Sequence, residues 1–252
     1  LFSLLNQISN NNSAKEFYLT DIVSCAHQKG FKVKCVHCSK EEAQGVNNRQ
    51  DLSEVEHEFQ KNKRLEILGN GVTLKDPSSV YFSYDTEVGK DSIIEANVIF
   101  GPGVQIKNNV LIKSFSYLEG CKISHNVIIG PFARIRPQTI LENGVKIGNF
   151  VEIKQSKLAQ NVKVNHLAYV GDGQIGKNSN IGAGTIFCNY DGTSKHKINI
   201  ASKTFVGSNV SLVAPLEIGE NVIIGAGSTI TDDINNDELV IGRARQINKR
   251  KK

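Results

Sequence analysis

The segment NHLAYVGD, residues 165–172, sets an imidazole, His166, three residues before the phenol of Tyr169 and six before the carboxylate of Asp172. A neutral imidazole near physiological pH is a natural proton acceptor. Two further segments gather reactive side chains. FARIRPQTI holds Arg134 and Arg136 on either side of Ile135, and NFVEIKQ follows with Glu152 and Lys154. FCNYDGTSKHKINI holds Cys188, Asn189, Tyr190, Asp191 and Gly192, turn formers with polar tips that predict a projecting loop. Plainer readings stand beside these: solvated surface for Arg134, a surface imidazole for His166, a small buried hydrophobe for Cys188.

What must position these groups is a repeat. An aliphatic or Phe side chain returns every sixth residue from Val88 through Ile94, Phe100, Ile106, Ile112 and Leu118. After a slip of one residue the frame continues from Ile123 to Ile153, then from Leu158 to Val170, then from Ile175 to Phe187. It resumes at Ile200 and runs to Ile230. Gly commonly follows the aliphatic, as in IGPFA, IGNFV, IGAGT and IGAGS, and a small residue stands four positions on. A helix needs period 3.6 and an ordinary strand period 2. Period six fits a short strand plus a corner, so three hexads make a triangular coil of about 18 residues. The fold class expected is mainly β, a parallel β-helix of hexapeptide repeats over residues 67–252. In this frame Ile135 points inward, Arg134, Arg136, Glu152 and Lys154 point outward, and His166 lies at a corner two residues after the inward Val164.

Residues 1–66 lack the repeat. LFSLLNQI and the region of FYLTDIVSCAHQ read as helices and KVKCVHC as a strand. DLSEVEHEFQKNKRLEIL reads as a helix capped near Ser53 and Glu56. This is the pattern of the end of an α/β domain. With no Met in the chain and LFSLLNQ at its start, an N-terminal part is expected to be missing. No apolar run reaches the roughly 18 residues that cross a bilayer, so no membrane association is expected. Five scattered cysteines argue against a disulfide framework and for the cytoplasm. Cys35 and Cys38 form a lone CxxC, read as free thiols rather than a zinc site. The basic tail RARQINKRKK lacks interleaved aromatics, so no nucleic-acid partner is expected, and a phosphate-bearing small ligand suits it better.

NFVEIK, NHLAYVGD, NIGAGTIFCNYDG and FVGSNVSLVAP resemble the acetyltransferase half of the bacterial bifunctional N-acetylglucosamine-1-phosphate uridylyltransferase/glucosamine-1-phosphate acetyltransferases. FYLTDIV and GVNNR resemble the end of the uridylyltransferase half, so the likeness covers almost the whole chain. The resemblance implies a left-handed β-helix and acetyl transfer from acetyl-CoA to the amine of glucosamine 1-phosphate. His166 would be the base, with Glu152, or alternatively Asp172, to orient it. Arg136, Lys154, Tyr169, Asn180 and Lys195 would hold the sugar phosphate, whose dianion suits guanidinium and ammonium groups. Ala183, Asn189, Tyr190, Ser208, Ala226 and Arg243 would line the acetyl-CoA site, and N–H groups near IGAGT would face the oxyanion. The resemblance also implies a homotrimer with sites at subunit clefts. Mg²⁺ would serve only the uridylyltransferase half, whose remaining metal-ligand position matches Asn47. One neutral amide is not a metal site, so this chain is expected to lack uridylyl transfer.

Three rival readings differ in what they require. Another hexapeptide acyltransferase would share the solenoid without the NHLAYVGD and CNYDG pair. A metal-dependent hydratase would gather His125, His166 and His196. A non-catalytic binding solenoid would need neither the frame-breaking loop nor the outward Arg136 and Lys154.

Overall fold

Every residue of the six-residue frame, from Val88 to Ile230, is buried in the computed structural model, which describes residues 1–39 and 42–250. The strands are mostly two or three residues long, because each spans only the flat side of a triangular coil. They stack in parallel into three faces of ten, eight and eight strands. The first face runs from Thr73–Leu74 to Leu239–Val240, the second from Ile99–Phe100 to Thr229–Ile230, and the third from Glu87–Val88 to Leu216–Ile218. Inward side chains stack in register: Ile94 on Ile112, Ile112 on Ile129, Ile129 on Ile147. The small residue of each hexad is inward too, as Ser92, Val98 and Val104. The solenoid is a left-handed β-helix.

Corners force left-handed backbone. The edge between the third and first faces meets this with Asn109, Asn126, Asn161, Asn178 and Asn221, all with φ between 59° and 61°, the residue type that tolerates this region best after Gly. Asn161 Nδ2 donates to Asn178 Oδ1 at 3.1 Å, tying neighbouring coils. The three one-residue slips in the repeat share one location. Leu118 to Ile123, Ile153 to Leu158 and Val170 to Ile175 all turn from the second face to the third. The long break after Phe187 falls at the same edge. Irregularity confined to one edge leaves the register of the other two intact.

That break is a built loop. Asp191 accepts from the Thr193 and Ser194 N–H groups, both at 2.7 Å, and from His196 Nε2 at 2.7 Å. These bonds hold its carboxyl well below the usual carboxylate range, chiefly through the Ser194 N–H, then His196. Tyr190 Oη donates to Gly192 O at 2.6 Å.

The chain divides into two compact units, Leu1–Val55 and Glu56–Lys252. The division falls inside the helix Arg49–Gly69, which also contains the expected boundary at residue 66. In the second unit, Gln60 meets the backbone of Phe82 with both ends of its amide, at 2.7 and 2.9 Å. Arg64 Nε donates to Val80 O at 3.0 Å, and Ile67 is in the core. These contacts occupy backbone groups of the first coil, which has no coil beneath it.

In the first unit the expected helices are present but short, Phe2–Leu5 and Ile22–Gln28. KVKCVHC is not a strand; it is exposed, with no strand paired to it among the described residues. A strand needs a hydrogen-bonded neighbour, and alternation alone cannot supply one. The expected Ser53 cap is also corrected. The helix starts at Arg49, Asn48 Oδ1 accepts from the Asp51 N–H at 2.9 Å, and Asp51 accepts from the Asn47 N–H at 2.9 Å. Asn47 therefore sits at a helix start, and among the described residues no group of three His, Cys, Asp or Glu side chains could hold a metal ion. Among the described residues no helix is long and apolar enough to cross a membrane. The described cysteines are free thiols, and burial pushes Cys121 up to about 12.

Two outcomes follow. Ile135→Ala should cost about 2–5 kcal/mol in urea denaturation, since a fully buried aliphatic leaves a cavity between fixed coils. Asp191→Ala should speed amide exchange at Thr193 and Ser194 with little change in melting temperature. A depressed carboxyl stabilises above the unfolded pKa, so wild type should loosen in the same place only in acid, below the ordinary aspartate range.

Candidate active site

Coil stacking sorts the candidate residues into two lines that border the second face. The first line is the edge between the first and second faces. Asn149 pairs with His166 across adjacent coils, and backbone bonds carry the edge onward. Gly184 N–H donates to His166 O at 3.4 Å, Asn209 N–H to Ala183 O at 2.7 Å, and Gly227 N–H to Ser208 O at 2.8 Å. His166, Ala183, Ser208 and Ala226 are thus successive rungs of one ladder, spaced by the roughly 4.8 Å of neighbouring strands. At the next turn, a Cβ on Gly227 would lie 3.6 Å from Arg243 Cδ.

The ladder changes character at His166. On the side of the earlier coils its left-handed corner positions hold Asn97, then Phe115, Phe132 and Phe150, then Leu167 beside the histidine. The phenylalanine rings stack at 4.9 and 5.2 Å and remain roughly half exposed. On the later side the same positions hold Gly184, Asn209 and Gly227. The edge is a hydrophobic ridge up to the histidine and a shallow groove beyond it.

His166 is exposed, and its Nδ1 lies 2.7 Å from Asn149 Oδ1. A carbonyl oxygen facing Nδ1 favours the tautomer with the proton on that nitrogen, which leaves the Nε2 lone pair free. Neither carboxylate expected to orient the imidazole makes this contact. Glu152 is taken by Arg136 at 2.8 Å and Arg134 at 3.6 Å, and Asp172 by Asn189 and Lys154. Asn149 was legible only through the repeat, as the residue at the histidine's corner position one coil earlier.

The second line runs along the edge between the second and third faces. Arg134, Glu152 and Tyr169 stack on consecutive rungs of the second face, and Lys154 pairs with Gly171. Lys154 and Asp172 are mostly buried, with Nζ and Oδ2 3.7 Å apart. The adjacent Lys195 ammonium, then burial, lower the Lys154 pKa, and Asp172 opposes them. A Cβ at Gly171 would collide with the Tyr169 hydroxyl and the Asn189 amide. Glycine there lets phenol and amide converge over the backbone. Four cations, Arg134, Arg136, Lys154 and Lys195, therefore face two carboxylates, Glu152 and Asp172. The surplus is positive, which suits an anion.

Arg136, Lys154, Tyr169, Asn189 and Lys195 thus lie together, and Tyr190 projects from the adjoining loop, exposed. Asn180 does not join them. It lies on the first face, between Lys163 and Phe205. The three histidines are not gathered. His125 Nδ1 accepts from the Asn108 N–H at 3.3 Å, while His166 and His196 keep separate partners.

Known proteins are similar to this chain. Residues 119–212 match the GMPPB C-terminal domain family, and residues 85–120 and 197–232 the bacterial transferase hexapeptide (six repeats) family. The chain is 50% identical over 249 residues to the Bifunctional protein GlmU of Zymomonas mobilis subsp. mobilis, covering 99% of this chain and 55% of that protein. It is 44% identical over 249 residues to the Bifunctional protein GlmU of Jannaschia sp. (strain CCS1), with the same two shares. The chain spans about half the length of these curated relatives. Among solved structures, LpxA, a UDP-N-acetylglucosamine acyltransferase from Bacteroides fragilis 9343, aligns with a TM-score of 0.54 at 19% identity, over 64% of this chain and 69% of that chain. That likeness is one of fold. Along nearly its whole length, the chain is similar to the matched half of these GlmU proteins.

Proposed function

We propose that this chain transfers the acetyl group of acetyl-CoA to the amine of glucosamine 1-phosphate, giving N-acetylglucosamine 1-phosphate for UDP-N-acetylglucosamine synthesis. The observation that carries the reading is the ladder of His166, Ala183, Ser208 and Ala226 facing a cationic cluster across one face. The sugar phosphate binds Arg136, Lys154, Tyr169 and Lys195, whose positive surplus meets its dianion. The acetyl-CoA arm lies along the small-residue groove with Ala183, Ser208 and Ala226, with Asn189 and Tyr190 at the opposite edge and Arg243 toward the nucleotide. The amine attacks the thioester carbonyl while His166 Nε2 takes its proton. The C–S bond then breaks, and the imidazolium returns the proton to the departing thiolate. Ala183 N–H, one rung from His166 and without a backbone acceptor among the described residues, is the donor for the oxyanion. The reading of Glu152 shifts accordingly: it holds Arg136 for the phosphate, and Asn149 orients the base.

The active form is a homotrimer with sites at subunit clefts. Phe115, Phe132 and Phe150 support this, because a bulky residue at positive φ costs roughly 1–2 kcal/mol over the Asn or Gly that other coils use there. Three such residues, stacked but still half exposed, leave apolar surface that a neighbouring subunit would bury. Asn180, on a face away from the cationic cluster, meets the substrate from a neighbouring subunit.

Residues 1–66 form the end of a uridylyltransferase domain. Asn47 is the one candidate there for Mg²⁺, and its helix-start setting does not fit a metal site; no uridylyl transfer is assigned to these residues. The enzyme works in the cytoplasm, in keeping with its free thiols.

Coenzyme A release from acetyl-CoA with glucosamine 1-phosphate tests the reaction. His166→Ala should lower kcat by about 10²–10⁴ with the oligomer intact by light scattering, and unchanged activity would defeat the base role. Asn149→Ala should lower kcat by less and leave KM for both substrates near wild type. Phe132→Asp, which an αL corner tolerates, should yield an inactive monomer. A fully active monomer would sink the trimer.

A further inference from the structure

Asp172 has no role in the transfer just described, yet its surroundings are specific. It occupies a left-handed corner, φ 53°, one rung beyond Lys154, and its N–H donates to Lys154 O at 3.1 Å. Its side chain is 15% exposed and that of Lys154 12%, little for charged groups. A single oxygen, Oδ2, receives Asn189 Nδ2 and lies 3.7 Å from Lys154 Nζ. Lys154 belongs to the sugar-phosphate half of the site and Asn189 to the acetyl-CoA half. The two halves therefore meet at one carboxylate.

We propose that Asp172 is a positioning residue that fixes Lys154 and Asn189 against each other, so that the sugar-phosphate and acetyl-CoA subsites keep one register. The inference rests on the acetyl-transfer reading. The groups facing Lys154 are Lys195 from the loop, Arg136 from the preceding coil and Asp172 from the following one, with Glu152 already engaged by Arg136. Asp172 is thus the carboxylate that opposes the like charges around Lys154. Its corner also explains why a neighbouring residue could not substitute. From this left-handed turn the side chain reaches both Lys154 and Asn189, and Gly171 leaves the space into which Asn189 and Tyr169 converge.

Two variants separate charge from hydrogen bond. Asp172→Asn tolerates the corner and keeps an acceptor for Asn189 but removes the charge. KM for glucosamine 1-phosphate should then rise about tenfold in alkaline solution, where Lys154 loses its proton early, and little at neutral pH, with KM for acetyl-CoA unchanged. Asp172→Ala removes both functions, and both KM values should rise while kcat falls less. Lys154 titrated by NMR of labelled lysine should lose its proton about one pH unit lower in Asp172→Asn than in wild type. A wild-type lysine titration in that variant would overturn the inference. So would an Ala variant with a lowered melting temperature but both KM values unmoved. Failure of the acetyl-transfer reading shows separately, as absence of coenzyme A release by wild type, and the lysine titration still decides the role of Asp172.

Discussion

The hydrogen bonding of each coil to the next is the constraint on which the rest of this molecule depends. Because strands of only two or three residues pair with the same positions one turn later, a residue's place in its hexad becomes a place on the surface. Side chains about 18 residues apart in the chain line up at strand spacing. A side chain at one corner therefore has its neighbours chosen by the repeat, and the imidazole of His166 meets Asn149 for that reason. Preorganisation costs nothing further here, since the backbone at both rungs is already held.

Deviations from the repeat are tolerated at a single edge. The slips and the long loop all fall between the second and third faces, leaving the ladder of His166 and the asparagine edge in register. Irregularity is segregated from regularity. The loop that breaks the frame is itself fixed, by Asp191 drawing three donors onto one side chain. The cationic cluster sits at its foot, where partial burial strengthens the attraction for an anion beyond that of scattered surface lysines.

The glycines and asparagines at corners relieve strain, whereas the phenylalanines at Phe115, Phe132 and Phe150 accept it. The same edge thus meets the same backbone demand in two ways. The contrast also gives the edge its polarity, bulky toward the first coils and open toward the last, with His166 at the change.

Much of this was legible in order along the chain. The period of six, the inward identity of every frame residue and the outward placement of Arg136, Glu152 and Lys154 follow from alternation and from the volume a narrow prism can hold. The type of His166 declared its chemistry before any geometry, whereas Tyr169 and Lys195 were picked out by the family resemblance. Only the tertiary structure decided partners. Glu152 went to arginine, Asp172 to Lys154 and Asn189, and the imidazole to an asparagine that no motif singled out. KVKCVHC shows the same limit from the other side, since its alternation met no strand to pair with. Pattern along a chain determines which way a side chain points; what it meets depends on how many residues each turn contains. In this solenoid that number changes only at a single edge, by one at each slip and by a whole loop after Phe187.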